Sequence, residues 1–233
     1  MDLFNKGDYL GAFGQKSYAE VISKVLYPND DHTEGKLLRL RQQYFLAAAA
    51  VGDIFRRHMS AYGTVDNFAE KNAIHINDTH PTLAIPELMR VLLDECGYSW
   101  ERSWDIVTHS FAYTNHTVMS EALEKWDIGL MKTLLPRVYQ IIEEINRRFC
   151  QELRDKGVSE EQIGRMSILF QGKVRMAHLC IAGSHSVNGV SALHSQIIRD
   201  AVFHPFYLVT PEKFKNVTNC IASRRWLMQS NPR

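Results

Sequence analysis

Net charge is nearly absent from this chain of 233 residues, where 27 basic residues stand against 26 acidic ones and leave +1. Such a balance supplies no field for gathering a polyanion, which excludes nucleic acid as the default partner. No stretch reaches the ~20 consecutive apolar residues of a membrane span, and Met1 to Leu10 lacks the basic-then-apolar layout of a secretion signal. A cytoplasmic chain without membrane contact is expected. Cysteine is sparse: Cys96, Cys150, Cys180 and Cys220 lie far apart and form no CxxC pair. Free thiols in a reducing compartment are expected rather than a disulfide scaffold. No compact His/Cys cluster supplies metal ligands, so no metal is assigned. What is present, 45% hydrophobic and 23% charged residues, suits one substantial core and excludes disorder.

The order of elements follows from periodicity and punctuation. Phe4 to Lys16, with three scattered glycines, reads as irregular, and a helix is predicted from about Ser17 to Tyr27, stopped by Pro28. From Glu34 the positions Leu37, Leu40, Tyr44, Ala48, Val51, Phe55 and Met59 recur at helical spacing, and Gly63 closes that helix. Ala73 to Ile76 reads as a strand that breaks into Asn77-Asp78-Thr79-His80-Pro81 ahead of another helix. Ser99 caps a helix to about His109, followed by a strand Phe111 to Thr114 and the loop Asn115-His116-Thr117. A long helix from about Val138 ends near Gly157, and Ser159 with Gln162 marks a short capped helix. Val174 to Ala182 reads as the clearest buried strand, running into Gly183-Ser184-His185-Ser186-Val187-Asn188-Gly189 and a further helix. The alternation predicts an α/β fold with a mostly parallel, Rossmann-like sheet and flanking helices. Ligands of such sheets sit outside the carboxyl ends of the strands, so the loops at Asp78, His116 and His185 are expected to share one rim.

The residues alone leave the chemistry of those loops open. Asp78-x-His80 reads as a metal-ligand pair, an acid/base pair or a helix cap beside an imidazole, with capping the commonest use of such residues. Gly183 to Gly189 is neither a dinucleotide fingerprint nor a Walker loop, and it reads equally as a polar ligand cradle or a tight turn. Arg224-Arg225-Trp226 suits a phosphate contact or simple cation–π packing. A small polyhydroxylated or phosphorylated ligand fits a rim of this kind.

Six blocks, in order, then narrow the reading: Leu26 to Asp30, Gly35 to Phe45, Asn77 to Met89, Phe111 to Thr117, Met176 to His185 and Val187 to Val190. With them the chain strongly resembles the glycogen, starch and maltodextrin phosphorylases over essentially all 233 residues. The resemblance implies a GT-B glycosyltransferase that releases glucose 1-phosphate from α-1,4-glucan with inorganic phosphate. Pyridoxal phosphate would lie between two Rossmann-like halves, and the intact enzymes would be homodimeric. The chain corresponds to the later part of the first half, one partial domain over 1–233. Its gate-loop region covers about 1–35, its sheet and helices about 36–210, and its interdomain crossover about 211–233. The cofactor domain, with the lysine that carries pyridoxal phosphate, is absent from it.

Carried over position by position, the resemblance gives His185 as the active-site histidine at the sugar. It gives Asn219 as a partner of a glucose hydroxyl, Asp78 and His80 as pocket walls, and Asn29, Asp30, Asp31 and Arg39 as gate residues. A non-catalytic carbohydrate- or partner-binding remnant of the same family is the alternative. Two departures stand out. Asp31 replaces the family's asparagine, and Cys220 replaces a glycine, which would strain the turn that aims Asn219 if that position needs positive φ.

Overall fold

A computed structural model of the chain describes residues 2–231. Met1, Pro232 and Arg233 lie outside the described residues, the last two at the end of the expected crossover. The helix predicted from about Ser17 to Tyr27 runs instead over Tyr9–Lys24, beginning among glycines that read as irregular chain and ending at an extended Val25. Asp8 caps it by accepting the Gly11 N–H at 2.9 Å. None of its residues is buried, so no apolar face marked its first two turns, Tyr9 to Lys16, in the sequence. The predicted long helix is present as Thr33–Tyr62, ended by Gly63 at φ 67, the left-handed conformation that glycine adopts without a Cβ penalty. Ser99 and Ser159 cap the helices Trp100–Ser110 and Glu160–Met166 as expected, and Pro136–Asp155 forms the long apolar-faced helix between them.

Among the described residues, seven strands form two sheets: β1 Ile74–Asn77, β2 Phe111–Thr114, β3 Lys125–Asp127, β4 Leu169–Phe170, β5 Lys173–Arg175, β6 Ser186–Gly189 and β7 Phe214–Asn216. The main sheet has the order β1-β2-β6-β7 and every pairing in it is parallel. The remaining three make a small antiparallel sheet, with Gln171 and Gly172 both at positive φ in the tight turn between β4 and β5. One face of the main sheet carries Ile76, Phe111, Tyr113, Val187 and Phe214 into the core. The other carries His75, Thr114 and Asn188, joined across three strands by a His75–Thr114 contact and a 2.7 Å bond from the Thr114 hydroxyl to Asn188 Oδ1.

The segment read as the clearest buried strand is mostly a helix. Lys173–Arg175 is extended, but Met176–Gly183 is an α-helix with every residue buried, and the strand is Ser186–Gly189, inside the stretch read as a loop. An apolar run enclosed on all sides has no wet face, so periodicity cannot separate helix from strand there. Burial also governs His178 within that helix. Its Nδ1 donates to the Met166 and Ser167 carbonyls at 3.0 and 3.2 Å, and Phe203 and Phe206 stand edge-on to its ring. Desolvation, then the nearby Arg175 guanidinium, lowers its pKa to about 3. The unfolded chain therefore takes up a proton below about pH 6.5 that the folded chain refuses until about pH 3. Stability should fall as pH drops through that window, by about 2 kcal/mol at pH 5 from this group alone. Urea titrations of the wild type and His178→Gln at pH 7 and 5 check this. An equal loss in both proteins would assign the effect elsewhere.

Candidate functional site

Because β1, β2, β6 and β7 run in one direction, their carboxyl ends share a rim built from the loops after Asn77, Thr114, Gly189 and Asn216. Asp78 opens the first loop at φ 61, a left-handed conformation that a short polar side chain tolerates and most residues avoid. Its own N–H donates to the Thr114 carbonyl at 3.0 Å, and its Oδ1 accepts the Thr79 N–H at 2.7 Å. The half-buried carboxylate is thereby fixed in direction. His116 leaves β2 at the neighbouring position, exposed, with Nε2 bonded to Asn77 Oδ1 at 2.6 Å. Since that oxygen can only accept, Nε2 carries the proton, and a neutral ring presents Nδ1 as an acceptor. Asp78 and His116 are thus one link apart through Asn77.

The gate residues approach from the other side. Asp31 donates its N–H to Asn29 Oδ1 at 2.9 Å, an Asx turn. Arg39 faces the Asp30 carboxylate at 3.7 Å and stacks 5.8 Å from the Tyr27 ring centroid. A cavity of about 810 Å³ runs from Tyr27 and Arg39 to His75, His80 and Pro81, floored by apolar side chains such as Leu46 and Ile54. Arg39 and His80 therefore line one space. Asn219 is on the same rim but beyond β7, its N–H donating to the Val190 carbonyl at 3.0 Å. Three strand spacings, about 14 Å, separate that end of the rim from Asp78.

His185 is not on this rim. It precedes β6 and donates its N–H to the carbonyl of Phe111, the first residue of β2, so it sits at the amino edge of the sheet. The length of β6 puts it about 13 Å from the carboxyl ends. The expectation that the three loops share a rim fails because the strand was placed on the wrong side of His185. His116 is on the rim where the sequence reading put its loop, although that reading gave the residue itself no role. The strain expected at Cys220 is also absent, since only Tyr27, Asp78 and Gln171 among the described non-glycine residues have positive φ. Arg225 packs 5.5 Å from the Trp226 ring centroid, the cation–π reading of that pair.

Pyridoxal phosphate needs a lysine for its imine and cationic donors for its phosphate. Residues 78–81, 115–119, 190–191 and 217–220, which make the rim loops, include neither lysine nor arginine. The one lysine with a clearly lowered pKa, Lys213, is desolvated at the far side of the sheet and donates to the Ile181 carbonyl at 3.1 Å. It opens on a separate cavity walled by Glu101, Asp105, Glu152 and Glu212 and by Arg147, Arg148 and Lys156, away from the rim loops. The rim loops of this chain do not fit the cofactor.

A parallel, Rossmann-like α/β sheet with a polar carboxyl rim defines the kind of domain that makes one half of a GT-B glycosyltransferase. The family description "Carbohydrate phosphorylase" matches residues 1–233. The chain is 51% identical to glycogen phosphorylase of Bacillus subtilis over 93% of its own length, and 49% identical to the muscle form of glycogen phosphorylase of Ovis aries over 98%. The Synechocystis glycogen phosphorylase is 47% identical over 99%. The chain belongs to the carbohydrate phosphorylase family. It spans 27–29% of the length of these relatives.

Proposed function

We propose that the chain is the glucan-contacting segment of an α-glucan phosphorylase, and that its carboxyl rim holds the sugar at the bond to be broken. The observation that carries this reading is the Asp78–Asn77–His116 constellation, in which a fixed carboxylate and an imidazole of set tautomer face the same rim. Asp78 accepts sugar hydroxyls, His116 offers Nδ1 to another, and His80 with Arg39 walls the approach for the chain of glucose units. Asn219 acts at the other end of the rim. In phosphorolysis the C1–O bond to the leaving glucan breaks, a phosphate oxygen bonds to C1, and the phosphate proton passes to the departing oxygen. The protein groups of this segment bind and orient, which matches a rim rich in acceptors and free of cations.

The phosphate needs cationic partners that the rim loops lack, so the chain alone is proposed to bind glucan without turning it over. The preferred glucan, cytoplasmic location and homodimeric state of the intact enzyme follow the family in this reading. Titrating the purified chain with maltoheptaose while following histidine ring resonances tests the site. Shifts at His80 and His116, and at His75 in the same cavity, with no glucose 1-phosphate formed on adding phosphate, are expected. Glucose 1-phosphate from the isolated chain, or a borohydride-trapped imine with pyridoxal phosphate, would overturn the proposed division of labour.

A further inference from the structure

Glu124 takes no part in the constellation above, yet it joins more of the surrounding elements than any residue in it. It stands at the end of the segment that follows His116, just before β3, and its carbonyl accepts the Met176 N–H at 3.2 Å. Its two carboxylate oxygens go to different elements. Oε2 accepts the Thr79 hydroxyl at 2.8 Å, and Oε1 accepts Gln43 Nε2 at 2.8 Å. Among the described residues it has no lysine or arginine ion-pair partner. A half-buried carboxylate held by two neutral donors is a costly arrangement to keep, since each donor is removed from water along with it.

What the arrangement secures is the direction of Asp78. Thr79 is 4% exposed, and its hydroxyl is anchored on Glu124 while its N–H holds Asp78 Oδ1. The Thr82 hydroxyl fastens the same residue from below by donating to the Thr79 carbonyl at 2.5 Å. Asp78 has positive φ, a conformation that persists only where its surroundings enforce it. At the other end, Gln43 lies one turn along the helix from Arg39, which faces the gate at Asp30. One carboxylate thus joins the gate helix to the loop that aims the sugar-binding acid, with a separate oxygen for each donor.

We infer that Glu124 is a positioning residue that sets the Asp78 carboxylate against the gate helix through Thr79 and Gln43, an inference that rests on the carboxyl rim being the glucan site. Thr79→Val keeps the shape of the side chain and removes the hydroxyl, whereas Thr79→Ser keeps the hydroxyl. In the 233-residue chain, Thr79→Val should weaken maltoheptaose binding about tenfold, and Thr79→Ser should leave it within about twofold of wild type. A merely structural role would lower melting temperature without separating serine from valine in the affinity of the folded protein. Glu124→Leu should weaken binding to a similar degree, and combining it with Thr79→Val should add little, because both remove the same link. Additive losses, or equal affinities for the serine and valine variants, would overturn the inference. Hydrogen exchange at the Thr79 amide in the ligand-free chain provides a readout independent of sugar, with at least about tenfold faster exchange expected in Thr79→Val and Glu124→Leu. If wild type binds no maltoheptaose but that exchange still accelerates, the glucan reading fails and the positioning link stands. Unchanged exchange refutes the link itself.

Discussion

His116→Ala is expected to lower turnover of a phosphorylase carrying this segment by about 100-fold, with His185→Ala costing less than about twofold. Removing one preorganised contact to a group whose charge changes in the transition state typically costs a few kcal/mol, which is a loss of this size. His116 is in place to make such a contact: it projects from the carboxyl rim, with its tautomer set by Asn77 Oδ1 at 2.6 Å. His185 is exposed on the opposite edge, where its Nδ1 contacts the Ser186 hydroxyl at 2.8 Å and its pKa is lowered by desolvation and by the charges of His109 and Lys213. Steady-state kinetics of the two variants decide the matter. A larger loss for His185→Ala would place the sugar at the amino edge and refute the proposed site. A raised Michaelis constant with unchanged turnover in His116→Ala would make His116 a ground-state binder only.

The second large effect is expected at Gly35. A Cβ on that residue would lie 1.7 Å from the Asn29 carbonyl oxygen and 2.8 Å from its carbon, both backbone atoms that cannot swing aside. Gly35 is the third residue of the helix Thr33–Tyr62, its N–H donating to His32 Nδ1 at 3.0 Å. The gate therefore packs on a surface that exists only because this side chain is missing. Gly35→Ala should cost about 1–3 kcal/mol of stability through overpacking and release Asn29 to Asp31 from the helix. Gly52→Ala, further along the same helix with nothing within 4 Å of its Cβ, should instead stabilise by about 0.5–1 kcal/mol, because alanine restricts the unfolded chain and favours helix. Thermal denaturation and amide exchange at residues 29–31 measure both effects. A Gly35→Ala variant as stable as wild type, with the gate amides equally protected, would mean the helix start shifts without cost.

The elements that could be read from the sequence are those whose cause is local. Leu40 and Val51 mark the buried stripe of Thr33–Tyr62, Gly63 ends it, and Ser99 and Ser159 cap their helices through bonds to residues three positions on. A 3.6-residue period, a left-handed glycine and a hydroxyl at an N-cap each act within a few residues, so the amino-acid order alone dictates them. The six sequence blocks likewise gave the family, and with it Asp78, His80 and the gate. What the chain order did not contain was direction. Met176–Gly183 is buried on every side, so its residues carry no period, and taking it for a strand reversed the side of the sheet on which His185 lies. Tertiary packing decided that segment, because burying all eight residues leaves a helix to satisfy its own backbone hydrogen bonds. It also decided that Glu124, 45 residues from Thr79 and 81 from Gln43, meets both. Pairings across such separations are fixed by the parallel sheet and the helices laid on it.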